Sequence, residues 1–220
     1  MTGTPPHIPY ANPILINLGG KYMEIEKVLQ NFTRRGLKAL YFETSAEAAD
    51  YVAGRIRGKT VGIGGSKTID TMGLYERLQE NNTVYWHWKQ GPEARDTATK
   101  AQVYLTSANG ISEDGQLVNI DGNGNRVAQT LYGHELVIFI SGVNKIMPDL
   151  EQAIWRARNI ASPLNARRFN VNTPCVKSEP MKCHDCRSPE RICNGMVITM
   201  GKMSGVGEME VVLIGEELGY

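Results

Sequence analysis

Residues 61–70 constrain the fold more than any other stretch, because they join a short apolar strand to a helix through two adjacent glycines. Residues 60–63 have the apolar and β-branched composition of a buried strand. Gly64 and Gly65 form the turn, and Ser66 stands where the N-terminus of a helix would be capped. The stretch therefore predicts a buried strand whose carboxyl end leads directly into a helix.

Strands and helices alternate at short intervals along most of the chain. Apolar residues at helical spacing predict helices near residues 21–35, 44–57, 66–80, 92–100 and 148–160. Short apolar runs predict strands at residues 38–42, 60–63, 83–88, 102–105, 116–120, 136–140, 196–200 and 210–214. The continuous apolar run at residues 136–140 is typical of a strand buried on both faces of a parallel sheet. We therefore predict a single α/β domain over residues 1–220, with a mainly parallel sheet and flanking helices.

The composition excludes several classes of function. The chain has 24 Lys and Arg residues against 23 Asp and Glu residues, and a net charge of +1 gives no electrostatic basis for binding nucleic acid or a membrane surface. No apolar run approaches the roughly 20 residues that span a bilayer. Residues 1–10 contain no cationic stretch followed by an apolar one. We expect an arm or ordered tail there, a turn at Asn12 and Pro13, and a location in the reducing cytoplasm.

The glycine turn is a candidate anion site. The first N–H groups of a helix are unpaired and its dipole favours negative charge, so a phosphate or carboxylate could bind there. Gly64 and Gly65 would let a ligand approach the backbone, while Ser66 and Thr68 offer hydroxyl groups. The alternative is a tight turn in which Ser66 only caps the helix. Neither the nucleoside-triphosphate loop nor the dinucleotide fingerprint is present, so ATP and NAD are not indicated.

Three later loops combine glycine with polar or charged residues, at residues 106–110, 121–126 and 142–145. Each is expected to leave a strand at the same edge of the sheet, where α/β proteins bind ligands. Side chains that can orient a polar ligand are Asn109, Asp121, Asn125 and Asn144, and those that can hold its anionic group are Arg126 and Lys145. Lys145 and Glu113 are also catalytic candidates. The alternative is ordinary turn chemistry, above all at residues 122–124.

All four cysteines lie in one short segment, at Cys175, Cys183, Cys186 and Cys193. In a reducing compartment such clustering favours a metal over disulfides, and the Cys-x2-Cys pair can chelate one centre. The spacing is close to that of the loop that holds a four-iron four-sulfur cluster in endonuclease III-like glycosylases. We therefore predict a Cys-rich metal-binding segment over residues 171–195 that holds a 4Fe-4S cluster. Zinc and metal-free cysteines are the alternatives.

The role of such a cluster is left open by the cysteine pattern. It could be structural or carry electrons, with all four cysteines as ligands, or it could act as a Lewis acid through an open iron. His184 lies between the cysteines and is a candidate ligand or acid–base group, although an exposed loop histidine is the simpler interpretation. His87 lies in the aromatic run of residues 85–88, which is more typical of packing along a strand.

Four long motifs occur in order: GGSKTID from residue 64, LTSANGISEDGQLVNIDGNGNR from residue 105, ISGVNKI from residue 140 and VVLIGEELGY from residue 211. Together they resemble the lactate-utilisation (LUD) domain family, from about residue 12 to residue 220. The resemblance implies a fold related to ribose-5-phosphate isomerase, glucosamine-6-phosphate deaminase and the CoA transferases. It also implies a link to the oxidation of lactate or similar hydroxy acids, often beside iron–sulfur partner proteins, and makes a homo-oligomer reasonable.

One departure limits the chemistry. Residues 107–110 are similar to the Ser-Glu-Asn-Gly motif of CoA transferases, in which the glutamate is the nucleophile, but Ala108 takes its place here. If the two motifs correspond, covalent CoA-transferase chemistry is not available at that position, and Glu113 is a candidate substitute that no sequence pattern supports. Three functions follow as hypotheses: a redox-associated protein of small hydroxy or keto acid metabolism, a non-redox lyase, hydratase or isomerase, and a non-catalytic subunit of a dehydrogenase complex.

Overall fold

The computed structural model describes residues 15–18 and 21–220, with the backbone alone for residues 16–18, 21 and 22. The predicted N-terminal arm and the turn at Asn12 and Pro13 lie outside the described residues. The strands are β1 (Leu15–Leu18), β2 (Lys21–Glu24), β3 (Lys38–Phe42), β4 (Thr60–Ile63), β5 (Thr83–Trp86), β6 (Val103–Thr106), β7 (Gly110–Ser112), β8 (Leu117–Asp121), β9 (Leu136–Gly142), β10 (Ile146–Met147), β11 (Gly195–Thr199) and β12 (Glu208–Ile214). The helices are α1 (Ile25–Arg34), α2 (Ser45–Arg55), α3 (Lys67–Thr71), α4 (Leu74–Gln79), α5 (His87–Gln90), α6 (Ala94–Ala98), α7 (Asn125–Ala128), α8 (Leu150–Arg156), α9 (Ser162–Arg168) and α10 (Pro174–Lys177).

The main sheet has six strands in the order β3-β12-β9-β6-β4-β5, and every neighbouring pair is parallel. Strand β9 lies inside it and shows why the sheet is buried on both sides. Val137 and Phe139 pack into the hydrophobic cluster on one face, whereas Ile138 and Ile140 pack into the cluster on the other. The predicted α/β fold with a mainly parallel sheet and flanking helices is confirmed. No helix in the part of the chain that the structure describes is long and apolar enough to cross a membrane.

A four-stranded sheet in the order β10-β7-β8-β11 packs beside the main sheet, and β1 pairs with β2. Strand β7 occupies residues that the sequence pattern predicts to be loop. It approaches helix α8 so closely that a Cβ on Gly110 would lie 2.3 Å from the Ala153 carbonyl oxygen. Because β8 belongs to this second sheet, the loop at residues 121–126 does not leave the main sheet, contrary to the prediction.

Several boundaries differ from the prediction for local reasons. The helix predicted after Ser66 is broken at Gly73, whose φ of +61° separates α3 from α4. The strand predicted to reach residue 88 ends at Trp86, and α5 begins at the next residue. The Gln90 side chain on this helix accepts a hydrogen bond from the Trp86 N–H at 2.7 Å and donates to the Val84 carbonyl at 3.1 Å. These bonds satisfy backbone groups of β5, which is an edge strand.

The connections after β4 and β6 run in opposite directions across the main sheet. Strand β4 leads to β5 on one side, whereas β6 leads towards β9 on the other. A crevice forms between the carboxyl ends of two such neighbouring strands, and ligands bind there in open α/β sheets. The glycine turn follows β4 and the loop at residues 106–110 follows β6, so both border this point.

Candidate functional site

A cavity of about 350 Å³ lies at this carboxyl edge of the main sheet. It brings together residues that are far apart in the chain but that the sequence patterns already indicated as ligand-binding. Those that line it are Gly65, Ser66, Thr68, Asn109, Asp121, Asn125, Arg126 and Lys145. The loop after β8 reaches the cavity from the second sheet, so the site is built between the two sheets rather than at one edge alone.

Residues of the glycine turn and of the start of α3 line one side of the cavity. Ser66 adopts an extended backbone and its Oγ accepts a hydrogen bond from the Ile69 N–H at 3.3 Å, so it caps α3 as well as lining the cavity. A Cβ on Gly65 would lie 3.2 Å from the Trp88 indole nitrogen, and one on Gly64 would lie 2.9 Å from Arg126 Cγ. Helix α3 has only five residues. Its dipole is therefore small, and the attraction for anions comes from cationic side chains instead.

Lys145 lies in the 3₁₀ turn Val143–Lys145 directly after β9, and only 3% of its surface is exposed. Its Nζ donates hydrogen bonds to Thr68 Oγ1 and to Ser107 Oγ, both at 2.9 Å. No carboxylate in the described ranges lies within ion-pair distance of it. Burial, together with the charges of Arg156 and Arg126, lowers the pKa of Lys145 well below its ordinary value. The site therefore stabilises the neutral amine relative to a lysine in water.

A chain of hydroxyl groups supports this amine. Ser107 Oγ lies 3.0 Å from Ser141 Oγ, which also accepts a hydrogen bond from the Ala108 N–H at 3.1 Å. Thr68 Oγ1 donates to the Leu218 carbonyl at 3.3 Å. Ala108 packs into the hydrophobic core and does not line the cavity. Ser107 was missed as a site residue, although it lies within a recognised motif directly after β6.

Arg126 is the most firmly held cation in the cavity wall. Its side chain is 12% exposed, and it donates hydrogen bonds to the carbonyls of Ser107 at 3.3 Å and Ile120 at 2.6 Å, and to the side chains of Asn109 and Asn119. Asp121 lies 3.9 Å from its Nε. The same carboxylate accepts the Arg126 N–H at 3.1 Å and so anchors the loop. Burial lowers the pKa of Arg126 from its ordinary value.

Two further arginines line the cavity and were missed by the sequence patterns. The Arg168 guanidinium stacks on Trp88, 4.6 Å from the ring centroid, and on Phe169, while its Nε donates to Asn165 Oδ1 at 3.0 Å. Arg95 has no carboxylate within ion-pair distance among the described residues, and its buried Nε has no hydrogen-bond partner there. Both arginines lie on helices, so no strand-end pattern could reveal them.

The balance of charge in the cavity is positive. The lining cationic side chains are Lys67, Arg95, Arg126 and Arg168, and the Lys145 amine is a fifth basic group, whereas Asp121 is the acidic side chain among the described lining residues. The charge of Lys67 is partly offset by Asp70, 2.8 Å away. His87 also lines the cavity, and burial together with the charges of Arg95 and Arg168 lowers its pKa. The arrangement suits a small anion.

Arg156 holds the surrounding segments together without lining the cavity. It is 3% exposed, and its guanidinium donates hydrogen bonds to the carbonyls of Asn109 at 2.6 Å, Asn144 at 3.0 Å and Tyr220 at 3.2 Å. Burial lowers the pKa of Arg156 to about 10. This arginine fixes the loop after β6, the turn after β9 and the last described segment relative to one another.

Four candidate residues lie outside the lining of this cavity, namely Gly64, Glu113, Asn144 and His184. Glu113 forms an ion pair with Lys27 at 2.6 Å in the turn between β7 and β8. Asn144 accepts a hydrogen bond from the Leu218 N–H at 3.2 Å and so holds the closing segment of the chain. Gly64 is also outside the lining, and the absence of a side chain at this position leaves room for the Arg126 side chain.

A second cavity, of about 230 Å³, is lined by all four cysteines and by His184. The cysteines are free and half-buried. Arg158 Nη2 lies 3.6 Å from Cys183 Sγ, and Arg191 Nη2 lies 3.6 Å from Cys193 Sγ. No group of three or more His, Cys, Asp or Glu side chains in the described part of the chain is arranged to hold a metal ion.

The two cavities adjoin each other. Ile120 lines both, and the Asn194 N–H donates to the Asp121 carbonyl at 2.9 Å, which fastens the cysteine segment to the loop of the first cavity. A π-helical stretch, Ala157–Ala161, lies between α8 and α9 and serves both sides: Arg158 lines the cysteine cavity, and Ala161 lines the other. Such wide turns are frequent at functional sites.

The sequence also matches a known protein family. Residues 25–214 match the family model of the LUD domain. The chain belongs to the LUD domain family. The predicted resemblance is thus confirmed, and the protein is of the lactate-utilisation type in this general sense.

A solved structure supports the fold of this LUD protein. The crystal structure of a DUF162 family protein from Deinococcus radiodurans superimposes with a TM-score of 0.54 at 12% sequence identity, over 87% of this chain and 96% of that chain. At this identity the similarity extends to the fold and no further. No curated protein matches the sequence.

Proposed function

We propose that this LUD protein binds a small hydroxy or keto acid, or a phosphorylated relative, in the cavity at the edge of the main sheet. We propose further that it holds a four-iron four-sulfur cluster in the adjoining cysteine cavity. The observation that carries the first part is the basic lining: four cationic side chains and the Lys145 amine surround about 350 Å³, with one acidic side chain among the described lining residues.

The cavity has the features that recognise a compact anion. Arg95 offers donors that no described protein group satisfies, and guanidinium groups bind carboxylate and phosphate through paired hydrogen bonds. Trp88 and Phe169 give one wall an apolar character that suits the carbon skeleton of an organic acid. The volume lies near the lower limit of about 300 Å³ for small-molecule sites, which favours a ligand of few carbon atoms.

The cysteine cavity supports the cluster proposal through its donor set. Four thiols, from Cys175, Cys183, Cys186 and Cys193, match the ligands of a 4Fe-4S cluster, and zinc is the alternative metal. Arg158 and Arg191 lie beside two of the sulfurs, where their charge would offset that of thiolates. When bound, such a cluster supplies electron transfer or, with one iron open, Lewis acidity.

The reaction proposed first is part of hydroxy-acid oxidation in the cytoplasm, together with an iron–sulfur oxidoreductase partner. The proposed relation to the fold of ribose-5-phosphate isomerase and the CoA transferases is compatible with a ligand at the carboxyl edge of the sheet. The observation that favours the non-redox alternative is the buried amine of Lys145, which suits a lyase, hydratase or isomerase. A non-catalytic subunit would bind the same acids without turnover, and a homo-oligomer is compatible with each possibility.

Calorimetric titration of anaerobically purified protein with L-lactate, pyruvate and inorganic phosphate tests the anion site. We expect Arg95→Gln to weaken binding about tenfold or more, because a charge-assisted hydrogen bond is worth about 1.5–3 kcal/mol. Arg34→Gln on α1 is the matched control, since Arg34 is exposed, contacts Asn31 and lies outside the cavity lining. Equal affinities for the two variants would rule out this cavity as the site.

Iron and sulfide analysis with a visible spectrum tests the cluster. We expect Cys183→Ser to lose most of the iron, whereas Ser188→Ala, in the same segment but outside the cavity lining, should retain it. Stoichiometric zinc would select the alternative metal. Protein that is prepared anaerobically and holds neither metal would contradict the proposal.

A further inference from the structure

We propose that Lys145 is a nucleophile that forms an imine with the carbonyl carbon of a small anionic oxo acid or aldehyde held in the same cavity. The inference rests on the proposed function for the anionic group of this ligand. It adds the chemical class, a carbonyl compound, and the bond through which the protein engages it.

The position of the amine supports this role. Lys145 lines the cavity, while Thr68 on one wall and Ser107 on the next each accept a hydrogen bond from its Nζ at 2.9 Å. These two bonds use two N–H donors and hold the nitrogen in place. A neutral amine that donates twice keeps its lone pair free to attack an electrophile.

The surroundings of Lys145 are poorly suited to an ammonium group. A buried lysine is ordinarily paired with a carboxylate, yet none in the described ranges lies within ion-pair distance of Nζ. The one acidic lining side chain, Asp121, is already engaged by the backbone and side chain of Arg126. Arg126 and Arg156 add positive charge near the lysine, and with burial they lower its pKa. A purely structural pair of hydrogen bonds would not require an amine.

The arginines complete the geometry for a charged carbonyl compound. Arg95 and Arg126 line the same cavity as the amine, so a ligand whose carboxylate or phosphate binds an arginine has its carbon skeleton inside the space that Lys145 borders. The anion is thus held by an arginine, which keeps its charge, while the nitrogen of Lys145 is left to attack the carbonyl group.

The reaction balances without an oxidant or reductant. The lysine nitrogen attacks the carbonyl carbon, a C–N bond forms, and the carbonyl oxygen gains a proton to give a carbinolamine. That proton comes from the nitrogen. The hydroxyl group of the carbinolamine then leaves as water with the second proton of the nitrogen, and a C=N bond remains. Ser107 and Thr68 lie where they can pass protons between nitrogen and oxygen. Protonation of the imine acidifies the neighbouring carbon, as lyases and isomerases require.

Reductive trapping tests the imine directly. The protein is incubated with pyruvate, with glyoxylate or with glyceraldehyde 3-phosphate, reduced with sodium borohydride, and analysed by intact mass and peptide mapping. Exposed Lys100 serves as the internal reference. We expect Lys145 to be labelled about tenfold or more faster than Lys100 near neutral pH, since each unit of pKa lowering gives tenfold more free amine. Lys145→Met, checked for folding by circular dichroism, should lose the fast adduct.

The outcomes separate this inference from the function on which it rests. No fast adduct at Lys145 with any of the three probes, or labelling equal to that of Lys100, overturns the imine. If lactate and pyruvate still bind in the calorimeter, the anion site stands without it. If they do not bind, the proposed function fails as well. A fast adduct at Lys145 without lactate binding would support the nucleophile and reject the hydroxy-acid site.

Discussion

Replacing Lys145 with methionine should raise the free energy of unfolding by an amount that depends on pH, because it removes the cost of burying a protonated amine. The amine is 3% exposed, and burial is the main reason that its pKa lies well below its ordinary value. Methionine has a similar length and no charge. It loses the hydrogen bonds to Thr68 and Ser107, at about 1 kcal/mol each. Ser107 keeps its contact with Ser141, and Thr68 keeps the Leu218 carbonyl.

The sign follows from the two pKa values of the lysine. In the unfolded chain its pKa is about 10.4, and in the folded protein it is lower. Below the folded pKa both states carry the proton, so the native state bears the full cost of a buried ammonium. Between the two values the unfolded state binds more protons, and stability therefore rises with pH. Above about 10.4 the cost is absent.

The magnitude is about 1.4 kcal/mol of unfolding free energy for each unit by which the pKa is lowered. Loss of the hydrogen bonds shifts the variant by a constant amount and does not affect this slope. The advantage of Lys145→Met is thus greatest at low pH and declines, by at most about 1.4 kcal/mol per pH unit, as pH rises through the window between the two pKa values.

Urea unfolding of both proteins between about pH 6 and pH 9 measures the effect. The upper limit stays below the region where Arg156, whose pKa is lowered to about 10, loses its proton. Other titrating groups cancel in the difference between the two proteins. A difference in unfolding free energy that stays constant with pH over this range would refute a neutral buried amine.

Three further predictions concern the fold and the wall of the cavity. Phe139→Ala should lower the unfolding free energy by about 3–5 kcal/mol in urea unfolding, because the ring is fully buried in the main sheet. Thr44→Ala should cost about 1 kcal/mol in the same assay, since Thr44 and Glu47 form both bonds of a capping box. Gly64→Ala should weaken anion binding measured by calorimetry, because its Cβ would lie 2.8 Å from Tyr104 Oη and 2.9 Å from Arg126 Cγ.

The strands that the sequence predicts well are those whose environment is uniform along their length. Residues 60–63 and 38–42 match β4 and β3 residue for residue, because each is a short run of mainly apolar residues that is followed by glycine or polar residues. Strand β7 could not be predicted in the same way. It has three residues, and its pairing with β8 and β10 depends on the close approach of α8 at Gly110.

The candidate site was predictable where its residues follow strands and not where they come from helices. Ser66, Asn109 and Lys145 follow β4, β6 and β9, so topology alone brings them together. Arg95 and Arg168 reach the cavity through the packing of helices, which leaves no local pattern in the sequence. Glu113 is close to the loop after β6 in sequence but lies outside the cavity lining, because its side chain pairs with Lys27 on α1.

The cysteine segment shows a similar division. Spacing alone indicated that the four thiols belong together, and the structure gives them one cavity. Its place beside the anion cavity depends on contacts that spacing does not encode, namely the bonds of Asn194 to Asp121 and of Cys183 to Asn159 on the π-helical stretch.

A crystal structure of the anaerobically prepared protein with pyruvate bound tests the central claim most directly. We expect the carboxylate within hydrogen-bond distance of Arg95, inside the cavity between the glycine turn and the loop after β6. We also expect the carbonyl carbon next to Lys145 Nζ. Pyruvate bound elsewhere, with the cavity holding only water at a saturating concentration, would contradict this claim.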